Sequence, residues 1–232
     1  MDSLKVAILV DGGFFIKRYY RLYRGATQHS PEQVAKNLYT MALRHVAKEE
    51  YLYRIFYYDC NPLSKRVHNP INDMVINFAK TSQSVFRNEF FEQLKKKRKV
   101  ALRLGYLKDS GNWIINPSLT RDIIKGKIAL NALTEGEVRY EMKQKGIDIK
   151  IGVDIASLAL KRFVDKIILI SGDSDFVPAA KLARREGIDF VLDPMWNPID
   201  DSLFEHIDGL RSTCPKPNLP NTNNDSVASP DH

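Results

Sequence analysis

Cysteine is nearly missing from this sequence. Only Cys60 and Cys214 occur in 232 residues, and their separation matches neither a disulfide framework nor a metal-binding spacing. The chain therefore reads as a reduced, cytoplasmic protein. Histidine is also sparse: His29, His45, His68, His206 and His232 are scattered, so no histidine-based metal site is legible. No apolar run is long enough to cross a bilayer, and the first one, residues 6–10, stops at Asp11, short of a signal-peptide core. No membrane partner is expected. A G-x-x-x-x-G-K-[ST] phosphate loop is missing, since Gly12-Gly13 does not make one, and no serine sits on a recognisable nucleophile turn. These two absences argue against a P-loop nucleotide hydrolase and against Ser-His-Asp catalysis.

What is present is ordinary in bulk and particular in detail. Hydrophobic residues make up 44% and charged residues 27% of the chain, which suits a globular protein able to bury its own core. Lys plus Arg exceeds Asp plus Glu, 35 against 28, for a net charge of +7. That balance admits a polyanionic partner without requiring one.

Short apolar runs at 6–10, 51–58, 100–107, 166–170 and 188–192 read as strands buried on both faces. Helical stretches are expected over 14–24, 31–48, 71–97, 152–163 and after Asp175, with Pro178 tolerated in a first turn. Residues 135–144 also look helical in composition, and 201–206 suit a last short helix. Residues 111–132 show no clear pattern. Strands alternating with helices predict an α/β layer fold with a mostly parallel sheet. The expected organisation is one domain over residues 1–212, with an enlarged, mainly helical middle near 62–136. A polar tail over 213–232, rich in Pro, Asn, Ser and Thr, is too poor in apolar residues to pack.

Aspartates stand where such a fold binds ligands, at the carboxyl ends of the strands. Asp11, Asp59 and Asp193 each follow a strand, Asp173 and Asp175 follow another, and Asp154 begins a helix. Taken singly, each is more readily a helix cap than a ligand. The pair Asp173-Ser174-Asp175 exceeds what one cap needs. Carboxylates gathered at one point require a counter-charge, and an all-carboxylate site suits Mg²⁺ or Mn²⁺ over Zn²⁺. Asp11, Asp154 and Asp173 are the leading ligand candidates. Asp175 is a candidate for a second ion or for orienting water, Asp148 and Asp59 are secondary, and Asp193 is left to capping. A divalent ion among them would support phosphodiester hydrolysis.

At these residues the chain resembles a known family. Val10-Asp11-Gly12-Gly13-Phe14, then Lys145-Gly146-Ile147-Asp148 with Val153-Asp154-Ile155-Ala156, then Ile170-Ser171-Gly172-Asp173-Ser174-Asp175-Phe176 with Pro178, follow one another as in NYN domains of the LabA-like branch. The resemblance implies a PIN-like α/β fold, a parallel sheet of about five strands with helices on both faces. It implies a ribonuclease acting through a Mg²⁺ or Mn²⁺ site, with Asp11, Asp154, Asp173 and Asp175 as catalytic acids and Asp148 as a further metal-site acid. Where many relatives carry an Asn shortly after the first Asp, Gly13, Phe14 and Phe15 stand here.

For RNA contact the candidates are Lys17, Arg18, Arg21 and Arg24 on the helix after Asp11, and Lys181 and Arg184 on the helix after the Asp pair. Tyr19, Tyr20 and Tyr23 are candidates for base stacking or for packing. The basic run Lys95-Lys96-Lys97-Arg98-Lys99 reads equally as a solvated helix end or a phosphate contact. With no base-reading element in view, the expected partner is single-stranded RNA held by its backbone. A homodimer is expected on general grounds. Two classes of function remain open: an endoribonuclease, and an RNA-binding regulatory module that keeps the fold without the chemistry.

Overall fold

A computed structural model describes residues 3–217. In chain order the elements are β1 (Lys5–Asp11), α1 (Gly12–Leu22), α2 (Pro31–Leu43), β2 (Tyr51–Cys60), β3 (Arg66–His68), β4 (Val75–Asn77), α3 (Ser82–Lys95), β5 (Val100–Ile115), α4 (Pro117–Ile124), β6 (Val138–Lys145), α5 (Ile147–Leu160), β7 (Lys166–Ile170), α6 (Val177–Arg185), β8 (Asp189–Asp193), α7 (Asp201–Phe204) and β9 (Gly209–Leu210). The main sheet has seven strands in the order β6-β5-β2-β1-β7-β8-β9. All neighbours run parallel except β6, which lies antiparallel to β5 at one edge.

The sheet is buried between two apolar layers, and β1 shows why its sequence reads as a continuous hydrophobic run. Val6, Ile8 and Val10 face one core with Phe15, Tyr19, Leu38, Met41 and Phe90 from α1, α2 and α3. Ala7 and Leu9 face the other core with Ile151, Ile155, Phe176 and Ala180 from α5 and the segment leading through α6. Residues 6–10 are each 0% exposed, and burial of this kind stabilises by about 1.5–3 kcal/mol per large aliphatic side chain.

The sheet is thus mixed and seven-stranded, not of five strands. The two additions are β9, only two residues long, and β6. Residues 135–144 were expected to be helical because Glu, Met, Lys and Gln all favour helices. As the edge strand β6 they leave only Tyr140 buried, and charge on an edge strand protects it from pairing with other chains. The strand β5 runs on to Ile115, past the expected end near 107.

The middle segment is correspondingly less helical than expected. Residues 66–77 form a small antiparallel hairpin, β3 with β4. The helix α3 starts only after Thr81, whose Oγ1 accepts from the Ser84 N–H. The helix α5 begins at Ile147, five residues ahead of expectation, directly after Gly146 at φ +78°. Residues expected to open the polar tail are packed on the body. The Thr213 hydroxyl donates to the Met41 carbonyl, the Trp196 indole N–H donates to the Cys214 carbonyl, and Cys214 is buried. Residues 218–232 of that tail lie outside the described residues.

Candidate active site

Parallel register brings the strand ends together. Asp11 pairs with Tyr58 of β2, Val10 with Ile170 of β7, and Ile170 with Asp193 of β8. The first turns that follow these strands rise from one edge. Two glycines let them close on each other. A Cβ on Gly12 would sit 2.5 Å from the Tyr58 carbonyl oxygen and 2.6 Å from the Tyr57 hydroxyl. One on Gly172 would sit 2.8 Å from a ring carbon of Phe14.

Against that edge lies a cavity of about 450 Å³ lined by Asp11, Asp148 and Asp173, with Gly13, Phe14, Lys17, Gln144, Ile147, Gly172, Ser174 and Asn197. Its three carboxylates come from β1, from the first turn of α5, and from the turn after β7. Asp11 caps α1, its Oδ1 accepting the Phe14 N–H at 3.0 Å. Asp173 caps the short turn that follows, its Oδ1 accepting the Asp175 N–H at 3.0 Å. Capping and cavity lining are therefore compatible, because each cap occupies one carboxylate oxygen and leaves the other uncommitted.

The electrostatics are those of crowded acids. Burial pushes the Asp11 carboxyl above the ordinary range, and the charges of Asp148 and Asp59 add to it against the opposing N–H bonds from Phe14 and Gly13. The Asp148 carboxyl is also raised, first by lost solvation and then by the charges of Asp173 and Asp175. Asp175 is exposed and acts on the cavity through that charge. Among the described residues, no three His, Cys, Asp or Glu side chains converge closely enough to hold an ion as they stand. The donor chemistry itself fits Mg²⁺ or Mn²⁺, being carboxylate and amide oxygen.

Several expected positions fall elsewhere. Asp154 does not join the cavity. It lies six residues after Asp148 on α5, a spacing that turns it to a different face. There it accepts from the Tyr58 hydroxyl at 2.8 Å and pairs with Arg103 at 3.1 Å, lining a separate pocket with Ile149, Lys150 and Val153. The helix does bring an acid to the sheet edge, and that acid is Asp148.

Asp59 stands beside the cavity, not in it. Its side chain is fully buried, paired with Arg87 at 2.8 Å, and it also accepts from its neighbour Cys60 N–H at 2.7 Å and the Tyr57 hydroxyl at 3.3 Å. Asp193 is buried as well, bonded to His45 Nε2 at 2.8 Å and to the Met195 N–H at 2.8 Å, in keeping with a structural role.

The cations divide similarly. Lys17 lines the cavity, Arg21 is exposed in the last turn of α1, and Arg24 is exposed just beyond its end. Arg18 is turned inward: its guanidinium donates to the Met195 carbonyl at 2.6 and 3.0 Å and to Asn197 Oδ1 at 3.3 Å. Arg184 lies at the far end of α6, paired with Asp208 at 2.8 Å beside the start of β8, the opposite edge of the sheet. Lys181 is exposed in the middle of α6.

Lys95 pairs with Glu92, and Lys99 lies 3.5 Å over the Tyr51 ring, so the densest basic run also caps the edge remote from the acids. Tyr19 is buried and stacked on Tyr23 at 4.2 Å, which makes both packing residues, while Tyr20 is exposed. Sequence reasoning missed Gln144 and Asn197. Asn197 follows the end of β8 by four residues, so the strand-end rule applied to Asp193 also reached its neighbourhood. Gln144 carried no signal, because its strand was read as a helix.

The NYN domain family matches residues 70–195 of the chain, which include Asp148 and Asp173 but not Asp11. No curated protein matches. The chain is similar to a protein of unknown function from Vibrio parahaemolyticus seen in a crystal structure, at 16% identity and a TM-score of 0.45 over 90% of this chain and 92% of that one.

Proposed function

From the premise that this chain belongs to the NYN domain family, we propose that its acidic cavity is the active site of a metal-dependent endoribonuclease using Mg²⁺ or Mn²⁺. One observation carries the reading. Asp11, Asp148 and Asp173, brought from three distant stretches of chain, face one cavity, and two of them are held above the ordinary carboxylate range by burial and by one another. Such acids gain by sharing a cation and gain nothing by facing each other alone.

Asp11, Asp148 and Asp173 would hold the ion, each through an oxygen that no cap occupies. When bound, a divalent cation polarises a phosphate oxygen and favours ionisation of a water. The protein's own groups do the rest. Lys17 offers a cation to the non-bridging oxygens of a phosphodiester in the cavity. The amide of Asn197, fixed by Arg18, offers a donor or acceptor to the adjacent sugar or phosphate. A carboxylate oxygen of Asp148 that the ion leaves free is suited to accept a hydrogen bond from the attacking water and orient it. Asp175 adds negative charge that keeps Asp148 basic.

A second reading, an RNA-binding module without catalysis, is favoured by the lack of three converged ligands among the described residues. The wider NYN/PIN-like superfamily includes catalytic and non-catalytic members alike. Repulsion between uncompensated carboxylates accounts for that separation within the nuclease reading.

The deciding experiment uses a labelled single-stranded RNA with Mn²⁺ or Mg²⁺. Wild type is expected to cut internally, and Asp173→Asn to lose at least the roughly 10–100-fold that even outer-shell metal partners cost. The amide still caps the Asp175 N–H, so the variant keeps its fold. Saturating Mn²⁺ at about 100 times its Kd adds about 2.7 kcal/mol of stability. That raises the wild-type Tm and leaves Asp173→Asn nearly unmoved. RNA binding with neither cleavage nor a Mn²⁺ shift under both ions would establish the non-catalytic reading.

A further inference from the structure

A second cavity sits at the other end of α1. It measures about 530 Å³ and is lined by Arg21, Leu22, Tyr23 and Arg24 from the helix end and by Pro215, Lys216 and Pro217 from the last described segment. The eleven residues of α1 separate its two ends by about 16 Å. One helix therefore carries the acidic cavity at its amino end and a basic cleft at its carboxyl end.

Adjacent residues of one turn also reach toward both cavities. Asn197 lines the acidic one. Its neighbour Trp196 lies under the Lys216 ammonium, 5.3 Å from the ring centroid, and Lys216 lines the basic one. The turn bearing Trp196 is held in a costly shape. Met195 and Trp196 are consecutive non-glycine residues at φ +47° and +60°, and left-handed backbone at such residues persists only where its surroundings enforce it. Arg18 on the Met195 carbonyl, Ser212 Oγ on the Trp196 N–H and the Cys214 carbonyl on the indole N–H do so. The result is an indole fixed in place and still 37% exposed.

Cations at a helix carboxyl end suit its dipole, which explains Arg21 and Arg24 one at a time. It does not explain Lys216, which arrives from a distant segment. None of the three cations of the cleft is in an ion pair among the described residues. Three cations without an ion pair among the described residues, one of them set on a fixed, partly exposed indole, match a single-stranded nucleic acid, whose phosphates and bases they would meet together.

Resting on the nuclease reading above, we propose that the basic cleft is a second RNA subsite. There Arg21, Arg24 and Lys216 hold phosphates several nucleotides from the cleavage point and Trp196 stacks on a base between. The site then measures length: a strand must span α1 to use both cavities, so long single strands bind and are cut in preference to very short ones.

The test measures binding of fluorescent oligouridylates of four and twenty nucleotides to Asp11→Asn protein in chelator, where no cleavage intervenes. With the Asp11→Asn background alone the long strand is expected to bind far more tightly than the short one. Adding Arg21→Ala and Lys216→Ala lowers affinity for the long strand by about tenfold or more and flattens its log-log salt slope by about 1.4, which is 0.7 for each lost phosphate contact. Trp196→Ala weakens the long strand and Trp196→Phe restores it.

An unchanged affinity and salt slope in the charge variants overturns the subsite and leaves the nuclease reading standing, since cleavage by wild type is measured separately. RNA that neither binds nor is cut overturns both. Tighter binding of polyglutamate than of RNA, lost in the same variants, overturns the subsite in favour of an acidic-peptide site.

Discussion

Removing Arg87 isolates the buried charge that borders the acidic cavity. The Asp59 side chain is 0% exposed and that of Arg87 21%, with 2.8 Å between Nη1 and Oδ1. Breaking a buried ion pair from one side costs about 3–5 kcal/mol, because the remaining charge is left uncompensated. In Arg87→Ala, Asp59 would keep only the Cys60 N–H at 2.7 Å, the Tyr57 hydroxyl at 3.3 Å and the Gln144 amide at 3.5 Å. Those bonds, and the partial exposure of Arg87, place the expected loss at the lower end, about 3 kcal/mol. In a chain of this size that is a fall in Tm of about 6–12 °C.

The loss has a pH signature whose sign follows from the carboxyl. Burial already holds Asp59 above its ordinary value of 3.8, against the pull of Arg87. Without Arg87 it rises further. The penalty is complete above the folded-state value, where Asp59 is ionised folded and unfolded alike. It fades as pH falls through that value, and the charge contribution is gone below about 4, where both states are protonated. Urea denaturation of wild type, Arg87→Ala and Arg87→Ala with Asp59→Asn, each at pH 7.5 and pH 4.5, reads this directly. The double variant is expected to recover most of the loss at pH 7.5. A single-variant loss under about 1 kcal/mol, or one equal at both pH values and not relieved by Asp59→Asn, refutes the assignment of Asp59 as a buried, Arg87-compensated charge.

Two further outcomes follow from the same geometry. At subsaturating Mn²⁺, cleavage is expected to rise with pH through a window above that of free aspartate, because Asp11 and Asp148 are raised in the ion-free protein and must ionise to take up the cation. Asp175→Asn, which removes charge acting on Asp148, should move that rise to lower pH, and a pH–rate profile checks both shifts. Gly12→Ala places a Cβ 2.5 Å from a backbone oxygen of β2, so α1 must pull away from the strand. Thermal unfolding should show a loss of about 1–3 kcal/mol, the range for overpacking a tight site, together with impaired cleavage.

The strand-and-helix alternation was legible in the sequence wherever a run is buried on both faces, since only a parallel interior demands unbroken apolar residues. The runs at β1, β7 and β8 carry that signature, as does the inner half of β2. Asp11 and Asp173 were legible too, because strand ends are fixed once the strands are, and both line the cavity. The edge strand β6 was not. Its residues are mostly exposed, so no burial pattern marked its period, and their helix propensity spoke for the wrong element. Tertiary pairing with β5 decided it.

The choice between Asp148 and Asp154 was likewise beyond the sequence. Both stand in the motif that resembles the family, and the helix expected from 152 puts Asp154 at its start, whereas α5 begins at Ile147 and puts Asp148 there. Which one meets Asp11 depends on where α5 starts and how it is rotated on the sheet, and these are set by Ile147, Ile151 and Ile155 seating in the core. The same holds for the cations. Composition placed Arg18 and Arg21 on one helix, but only packing turned Arg18 inward to clamp the Met195 turn and left Arg21 facing the open cleft. The sequence by itself determined the strands buried on both faces and the acids that end β1, β7 and β8. The tertiary structure decided which of those acids share a cavity, because helix rotation and strand pairing are settled by contacts between residues far apart in the chain.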